Sequence, residues 1–552
     1  MSCPVHFDAK NKIWRNPPIE DDFSPDQSIG QLILDRLSEI DSDHIIEINH
    51  ENGNKWTASD IRRLSLRCAE NFLELGIKQG DIVMFFSSLN SYTTPTIFGC
   101  YLIGAILLNL NRVLLIPDDL EFSCRSVDPK IILCDGNVYD KVIAITNTLA
   151  SPHLKHILSF HSREDRKTVP DIIMKYVDPK NHFHSLKIDK PRDTIAVLMS
   201  SSGSTGRPKV SILSHSLIIH AAQTWWTTQQ SDIVYCASHL RWMSQIITML
   251  QMAFYGFFRV TSSEQPSAEL TAKIIQIHKV THLFAIPTLI LDMLDYASKN
   301  DKYIKTLKVF LTGAEVIPTS FSGRVKNVLP KCKIIKLYTM TELAGPLATT
   351  ENLKRYDGNG VQIMPGVNIK ICDENMKPLG HNDRGQICIK TDFMFSGYWR
   401  GERTTEEAFD TDDWFITGDF GYIDDKNMLH VSDKFADVIV CDGKMVFPNA
   451  IEEILKEHPY VSMAVIIGIH HHEKGQIPAA FIKLRNDSTI SHNKDDIKNE
   501  LMSYLSTQIE HNQMPVGGLY FVDKFPLTYN DKVCRPIFKK LVVEKFGEEK
   551  MI

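Results

Sequence analysis

The 552-residue sequence predicts an α/β protein with α+β parts, and three observations support this fold class. Strand-like and helix-like segments alternate up to about residue 345, which predicts largely parallel sheets covered by helices. From Gly358 the pattern changes to short strands separated by glycine and aspartate turns, typical of antiparallel sheet or a small β-barrel. After Asp433 a short independent unit of two helices and two strands follows. We therefore expect a large domain over residues 1–432 and a small domain over residues 433–552.

The first α/β unit begins with an amphipathic helix over Trp56 to Leu75. Its apolar residues recur at helical spacing, and Ser59 or Asp60 is available as the N-terminal cap. Met84 to Asn111 then contains no charged residue and could be mistaken for a membrane span. A polar cluster that includes Pro95 interrupts the roughly 20 apolar residues that a span requires. The segment predicts a buried strand, a loop and a buried helix instead.

Composition and charge indicate an ordinary globular protein and argue against a nucleic-acid-binding one. Hydrophobic residues make up 43% and charged residues 23%, as in ordinary soluble globular proteins. The net charge is -6, whereas a nucleic-acid-binding protein typically has an excess of basic residues. The 11 cysteines form no CxxC pair, which suits a reducing compartment. The N-terminus lacks the features of a signal or transit peptide and the C-terminus is not Ser-Lys-Leu, so we expect a cytoplasmic protein.

The stretch Ser200 to Lys209, SSSGSTGRPK, joins two apolar runs and predicts a loop between two strands. Its glycines allow close approach of the backbone to a ligand, while its hydroxyls and successive N–H groups suit an anion. Arg207 and Lys209 add positive charge. The loop is not a Walker motif, because Pro208 precedes the lysine and a strand follows. On composition alone, a flexible surface loop explains it equally well.

Three further motifs have ordinary explanations when taken singly. Tyr338 to Glu342 follows a predicted strand, where an aromatic and an acid are commonly structural. Asp419 ends the segment WFITGD on a predicted tight turn, where its carboxylate could accept bonds from the two hydroxyls of a ribose or simply stabilise the turn. Lys532 near the C-terminus could be a solvated surface lysine.

Their order and spacing are more informative. SSGSTGRPK, YTMTE, WFITGD, then DKFADVIVCDG followed by Pro448 and Glu452, and finally Lys532, together resemble the adenylate-forming superfamily. That superfamily includes acyl-CoA synthetases, 4-coumarate–CoA ligases and beetle luciferases. The resemblance runs from about residue 25 to 545. It implies a large adenylation domain that contains the ATP and acyl sites, a small β-barrel, and a hinge to a small, mobile α+β C-terminal domain.

The resemblance implies which residues bind Mg-ATP. The loop and its lysine match the residues that bind the β- and γ-phosphates. The segment Gly313 to Glu315 and Tyr338 match the adenine site, and Thr341 matches the residue that contacts the α-phosphate. Glu342 matches a Mg²⁺ ligand, Asp419 the ribose-binding carboxylate, and Lys434 a basic residue that reaches the ribose. The loop residues are Ser201, Ser202, Gly203, Ser204, Thr205, Gly206 and Lys209, and the adenine segment is Gly313, Ala314 and Glu315.

The resemblance also implies two poses of the small domain. Asp433 matches the hinge, and Lys532 matches a lysine that bridges the carboxylate and the α-phosphate during adenylation. In the second pose the segment Ala436 to Gly443 approaches the thiol. Catalytic roles therefore fall on Lys532, Thr341 and Glu342.

The acid pocket departs from the family pattern. Leu337 and Thr339 stand where relatives have small residues, and Trp242 where they have a glycine. Candidate pocket residues are His239, Trp242, Met243, Leu337, Thr339 and Leu343. Val440 stands where relatives often carry a lysine that beetle luciferases use in oxidation, so it argues against light emission.

The sequence thus predicts an ATP-dependent acid–thiol ligase that uses Mg²⁺ and coenzyme A and acts on a fatty acid of medium or long chain. The alternatives are a luciferase-like monooxygenase and a non-catalytic nucleotide or acyl binding protein of the same fold. The run His470-His471-His472 favours a solvated loop over a metal site. Cys236 with His239 does not favour a covalent nucleophile, because the mechanism needs none.

Overall fold

Helices and strands alternate along the first two thirds of the chain, as the sequence predicts. A computed structural model describes residues 5–18, 20–24, 26–110, 117–149, 151, 153–161, 167–175, 185–201, 209–298, 303–315, 317–318, 320–351, 360–485, 493–526 and 533–546. Up to residue 349 the elements are β1 (His6–Asp8), β2 (Ile13–Arg15), α1 (Ile29–Glu39), β3 (Ile45–Asn49), β4 (Lys55–Thr57), α2 (Ala58–Glu74), β5 (Ile82–Phe86), α3 (Thr93–Leu102), β6 (Ile106–Asn109), α4 (Pro117–Val127), β7 (Ile131–Cys134), α5 (Tyr139–Leu149), β8 (His156–Ser159), α6 (Val169–Met174), β9 (Ile195–Ser201), β10 (Lys209–Ser214), α7 (His215–Thr224), β11 (Ile233–Cys236), α8 (Met243–Tyr255), β12 (Phe258–Thr261), α9 (Ala268–His278), β13 (His282–Phe284), α10 (Pro287–Ala297), β14 (Val309–Gly313), α11 (Phe321–Val328), β15 (Lys333–Met340) and β16 (Gly345–Thr349).

The remaining elements are shorter and form two groups. The first is β17 (Val361–Ile363), β18 (Asn368–Cys372), β19 (Gly385–Lys390), α12 (Glu402–Glu406), β20 (Phe415–Ile423) and β21 (Met428–Lys434). The second is β22 (Ile439–Cys441), β23 (Lys444–Val446), α13 (Pro448–Glu457), β24 (Val461–His471), β25 (Gly475–Leu484), α14 (Lys494–Gln508), β26 (Leu519–Phe521) and α15 (Arg535–Phe546). Short 3₁₀ helices occupy Thr341–Leu343, Phe435–Asp437 and His511–Gln513.

Two sheets of parallel strands form the framework of the large domain. In the smaller sheet the order is β10-β9-β6-β5-β7-β8, and only β10 runs antiparallel to its neighbour. In the larger sheet β3, β12, β11, β13, β14 and β15 lie side by side and parallel. Apolar side chains from both sheets and from the helices between them share one large buried cluster. This is the helix-covered parallel arrangement that the alternating pattern predicts.

The antiparallel strands predicted after Gly358 are present, and they continue the larger sheet. The chain reverses after β15, so that β16 pairs antiparallel with β15 and with β17. The ladder then runs through β21, β20, β19 and β18 to β2 and β1 near the N-terminus. The predicted β-barrel region is therefore hydrogen-bonded to the parallel sheet along one continuous path.

The C-terminal unit has a sheet of its own. Its strands are ordered β23-β22-β25-β24, and β26 also pairs with β25, in parallel orientation. Two helices and two strands match the predicted unit: α13, β24, β25 and α14. Strand β21, which ends at Lys434, leads directly into this unit. The predicted boundary at Asp433 thus falls at the end of a strand.

Local details of the first unit both support and correct the sequence analysis. Helix α2 is present, but its N-terminal cap is Thr57 and neither Ser59 nor Asp60. The Thr57 hydroxyl accepts from the backbone N–H of Asp60, and the Asp60 carboxylate accepts from the N–H of Thr57, which is a capping box. The uncharged segment after Met84 folds as β5, a loop and α3, as predicted, and it ends in a further strand, β6. Helices in the described ranges are all too short or too polar to span a bilayer.

Candidate active site

The carboxyl ends of the parallel strands bring the predicted site segments to one edge of the larger sheet. Parallel strands end on the same side, and ligands of α/β proteins bind there. The loop with His239 follows β11, Gly313 ends β14, and the turn with Glu342 follows β15. The smaller sheet contributes the end of β9 at Ser201. The 3₁₀ turn Thr341–Leu343 contacts both β9 and β10, so the two sheets meet at this turn.

Part of the predicted phosphate loop and the predicted catalytic lysine lie outside the described residues. These are Ser202, Gly203, Ser204, Thr205, Gly206 and Lys532. The flanks of the loop are described: Ser201 and Lys209 are paired across the antiparallel strands β9 and β10. The two flanking strands are therefore present as predicted, whereas the loop between them and its binding of phosphate stay predictions.

Tyr338, Asp419 and Lys434 form a connected polar group from three strands. The Tyr338 hydroxyl donates to Oδ2 of Asp419, and Nζ of Lys434 lies 2.5 Å from Oδ1 of the same carboxylate. Asp419 and Lys434 face each other across β20 and β21. Burial and the Asp419 charge raise the pKa of Tyr338 well above its usual value, so the phenol stays protonated and remains a donor. A carboxylate has about four lone-pair sites, so Asp419 can still accept from other hydroxyls.

Glu342 lies buried at the turn, and the sequence analysis missed its partner, Tyr398. The Tyr398 hydroxyl donates to Oε1 of Glu342 over 2.8 Å. Burial, followed by the Glu342 charge, raises the pKa of Tyr398. Nζ of Lys209 lies 4.9 Å from the centre of the Tyr398 ring, within cation–π range. Tyr398 therefore connects the predicted metal ligand to the predicted phosphate lysine.

Backbone hydrogen bonds hold the Tyr398 segment between β10 and the turn. The N–H of Phe395 donates to the carbonyl of Glu342 over 2.8 Å. The N–H of Trp399 donates to the carbonyl of Val210 over 2.8 Å. Tyr398 carries the side-chain contact of this segment to the Glu342 carboxylate, and nothing in the local sequence GYW points to it.

Glu342 can supply one carboxylate to a magnesium ion. Among the described residues, no three His, Cys, Asp or Glu side chains are grouped closely enough to hold a metal by themselves. Mg²⁺ is commonly held in proteins by one or two carboxylates together with substrate phosphates and water, and its binding by Glu342 stays a prediction. The predicted loop is wrong for His470 and His471, which end strand β24 and pair with Gln476 and Gly475 of β25; the turn begins at His472.

Backbone geometry constrains the residues of the predicted adenine segment. A Cβ on Gly313 would lie 2.3 Å from the carbonyl oxygen of Leu337 on the next strand, so only glycine fits there. Ala314 follows in the left-handed region, with φ of 68°. The Glu315 carboxylate accepts from the Thr288 hydroxyl over 2.8 Å at the first turn of α10. The Glu315 side chain thus interacts with the N-terminus of this helix, where a negative charge is favourable.

The predicted acid-pocket residues fall into two groups. Met243, Leu337 and Leu343 are buried in the large apolar cluster. His239, Trp242 and Thr339 are half-buried. His239 and Trp242 lie on the loop between β11 and α8, where the N–H of Trp242 donates to the carbonyl of His239 over 3.0 Å.

Two polar residues of this region were not singled out from the sequence. Arg241, between His239 and Trp242, is only 4% exposed, and its guanidinium lies 5.9 Å from the Trp242 ring. Gln245 on the first turn of α8 is also buried. The available signal for Arg241 was a single charged residue in the predicted pocket segment SHLRWMSQ, whereas the sequence offered no signal for Gln245.

The predicted hinge is a buried carboxylate. Asp433 is 3% exposed, and burial raises its pKa to about 7. Oδ1 accepts from the N–H of Asn449 over 3.0 Å. Beyond the hinge, the Arg535 guanidinium lies 2.7 Å from Glu452 and 3.3 Å from Asp437, and it connects α15 to α13 and the 3₁₀ helix. Val440 in the same region is 48% exposed.

Comparison with known proteins agrees with this architecture. The family described as AMP-binding enzyme matches residues 39–399, and the C-terminal domain of AMP-binding enzymes matches residues 450–532. The chain is 23% identical to 4-coumarate–CoA ligase 3 of Arabidopsis thaliana over 548 residues, covering 97% of this chain and 95% of that enzyme. It is 26% identical to luciferin 4-monooxygenase of Nipponoluciola cruciata over 487 residues, covering 85% and 86% of the two chains.

Solved structures show the same fold. The anthranilate CoA ligase AuaEII in complex with anthranoyl-AMP gives a TM-score of 0.83 at 18% identity, covering 94% of this chain and 98% of that one. ATP-bound MatB from Rhodopseudomonas palustris gives 0.79 at 21% identity, covering 93% and 99%. The family match spans well over half of the sequence, and the chain belongs to the AMP-binding enzymes of the adenylate-forming superfamily.

Proposed function

We propose that this protein is an ATP-dependent acid–thiol ligase that converts a carboxylic acid into its acyl-CoA and releases AMP and pyrophosphate. The observation that supports this most is the contact of Asp419 with both Tyr338 and Lys434. Three residues assigned to adenine and ribose from separate motifs are joined through one buried carboxylate. Packing alone does not require a carboxylate, a phenol and a lysine at that point.

In the first step, an oxygen of the acid attacks the α-phosphorus of ATP, and pyrophosphate leaves with the electrons of the broken P–O bond. Lys209 and the loop Ser201 to Gly206 hold the β- and γ-phosphates, and Thr341 contacts the α-phosphate. Lys532 offsets charge on the pentavalent transition state. Glu342 would hold a Mg²⁺ ion, which would supply charge neutralisation.

In the second step, the thiolate of coenzyme A attacks the carbonyl carbon of the acyl-adenylate. The bond from that carbon to the bridging oxygen breaks, AMP leaves, and a thioester forms. We expect the small domain to turn about Asp433, so that Lys532 withdraws and Ala436 to Gly443 faces the thiol. Gly313, Ala314 and Tyr338 keep the adenine in place through both steps, and Glu315 supports that segment through its bond to Thr288.

The acid is proposed to be a fatty acid of medium or long chain. Met243, Leu337 and Leu343 offer apolar side chains to a substrate, with His239, Trp242 and Thr339 beside them. Arg241 favours a second candidate, an acid with an additional anionic group. Its guanidinium remains charged at all working pH values, presents five donors and is nearly fully buried in the same loop.

Two other functions are less well supported. A luciferase-like oxygenase is consistent with the resemblance to luciferin 4-monooxygenase, but Val440 supplies no cation at the position where those relatives often carry a lysine. A protein that only binds nucleotide would need neither the Glu342–Tyr398 pair nor Lys532.

The test is release of AMP and pyrophosphate from Mg-ATP across fatty, aromatic and dicarboxylic acids, with and without coenzyme A. We expect acid-dependent AMP release that needs coenzyme A for turnover and falls at least a hundredfold in Lys532→Ala. Lys524→Ala, an exposed lysine nearby in the sequence, is the matched control and should retain full activity. Absence of AMP with every acid would reject the ligase in favour of a binding protein.

A further inference from the structure

A fully buried ion pair lies beneath the loop between β11 and α8. Arg259 on β12 and Glu47 on the neighbouring strand β3 are cross-strand partners, and each side chain is 1% exposed. One guanidinium nitrogen lies 2.5 Å from the Glu47 carboxylate and 3.1 Å from the Thr94 hydroxyl. That hydroxyl in turn donates to Glu47 over 2.7 Å. The ion pair fixes the guanidinium relative to the two strands, and Thr94 adds a bond to the nitrogen that faces Glu47 and not to the one at the other end.

The other end of the guanidinium orients Gln245. Its second terminal nitrogen donates to Oε1 of Gln245 over 2.7 Å. Arginine has donors only, so the amide oxygen must face Arg259 and the amide nitrogen must face away. That nitrogen donates to the carbonyls of Cys236 and Ser238, both over 2.8 Å. The ion pair thus determines which way the amide points, and the amide binds the loop.

Further hydrogen bonds close the loop onto the helix. The Ser238 hydroxyl lies 2.8 Å from the Ser244 hydroxyl and 3.2 Å from Sγ of Cys236. The N–H of Gln245 donates to the carbonyl of Trp242 over 3.0 Å. Residues 236–245 are therefore bound at both ends, with His239 and Trp242 presented in between.

Stability alone does not account for this arrangement. Buried ion pairs lose hydration of both charges, and well-packed apolar replacements are often equally or more stable. What an apolar replacement cannot do is fix the direction of an amide that holds two backbone carbonyls. The geometry points to a positional role, with Arg259 acting on the loop through Gln245.

We infer that Gln245 and Arg259 are positioning residues that set the affinity and selectivity of the enzyme for its acid. This inference rests on the proposed function, because it takes the loop with His239 and Trp242 as a wall of the acid pocket. ATP binds at the ends of β9, β14 and β15 in that proposal, so the network acts on acid binding and leaves ATP binding unchanged.

The test uses Gln245→Glu, which keeps the side-chain volume and the acceptor facing Arg259 but replaces the donor nitrogen by an oxygen. Gln245→Met, which removes both interactions, is the second variant. Thr94→Val is the matched control: it removes a buried hydroxyl from the same network but does not touch Gln245. All are assayed in the full-length protein with the best acid found for the wild type.

For Gln245→Glu and Gln245→Met we expect at least a tenfold rise in KM for the acid and less than a twofold change in KM for ATP. The ranking of acids of different length should also become flatter. Thr94→Val should keep both constants even if it lowers the thermal midpoint. An unchanged KM for the acid, or equal rises for acid and ATP, would overturn the inference.

A second measurement is independent of turnover. Amide hydrogen exchange of residues 237–242 in the unliganded protein should become at least tenfold faster in both Gln245 variants and remain unchanged in Thr94→Val. If the wild type makes no AMP with any acid, the proposed function fails, whereas the exchange experiment still decides whether Gln245 holds the loop. Exchange that is unchanged in the Gln245 variants would refute that part directly.

Discussion

Replacing Asp433 by asparagine removes the buried charge at the predicted hinge while keeping its shape. Oδ1 of Asp433 accepts from the N–H of Asn449, and an asparagine oxygen can accept the same bond. Oδ2 is buried and has no hydrogen-bond partner among the described residues. The substitution therefore puts the amide nitrogen of asparagine at the place of Oδ2, the carboxylate oxygen that has no hydrogen-bond partner among the described residues.

The size of the effect follows from the pKa. Burial raises the pKa of Asp433 from 3.8 to about 7. The hydrogen bond from Asn449 and the charge of Arg535 lower this pKa, whereas the charges of Glu452 and Asp437 raise it further. Between those values the unfolded chain has released a proton that the folded chain retains. The folded state therefore loses stability as the pH rises toward 7. A shift of about three pH units corresponds to an upper limit of about 4 kcal/mol.

The assay is urea unfolding of the wild type and Asp433→Asn at several pH values. We expect the stability gained by Asp433→Asn to grow by up to about 3 kcal/mol between pH 5 and pH 8. Asp523→Asn, an exposed aspartate in the same domain, is the control and should show no such trend. A gain that stays constant with pH, or that shrinks as the pH rises, would refute the reasoning.

Three further substitutions test other parts of the account. Tyr398→Phe removes the hydroxyl that donates to Glu342. Because a hydrogen bond to a charged group is lost, we expect KM for Mg-ATP to rise about tenfold in steady-state kinetics. An unchanged KM would show that Tyr398 does not support the metal site. Gly313→Ala places a Cβ against the Leu337 carbonyl, so its thermal midpoint should fall by several degrees, and a wild-type midpoint would contradict the packing. Arg535→Met leaves two carboxylates without their cation and should destabilise the C-terminal domain by about 3–5 kcal/mol, seen as faster hydrogen exchange in α13 and α15; protection equal to the wild type would show that the ion pairs are dispensable.

Much of the fold could be predicted from the sequence because it follows from local periodicity. The uncharged segment after Met84 reads correctly as strand, loop and helix, since its polar cluster and Pro95 are local signals. The cap of α2 was predicted wrongly at Ser59 or Asp60, because several neighbouring polar residues can cap and only the backbone shows that Thr57 does. Boundaries depend on such choices, whereas element types do not.

The site was predictable only where motifs mark it. Tyr338, Glu342, Asp419 and Lys434 belong to motifs, and the structure joins Tyr338 and Lys434 to Asp419, although their binding of nucleotide stays a prediction. Partners from elsewhere in the chain leave no local pattern. Tyr398 lies 56 residues from Glu342. Residues so far apart in sequence are brought together by strand order, which no window of sequence contains.

The central claim is that the carboxylate attacks the α-phosphorus of ATP, and an oxygen label tests it most directly. With an acid labelled in both carboxylate oxygens with ¹⁸O, the attacking oxygen becomes the bridging oxygen of the acyl-adenylate and leaves with AMP. We expect AMP that contains one ¹⁸O atom and pyrophosphate that contains none. Label found in inorganic phosphate, with ADP as the nucleotide product, would contradict it.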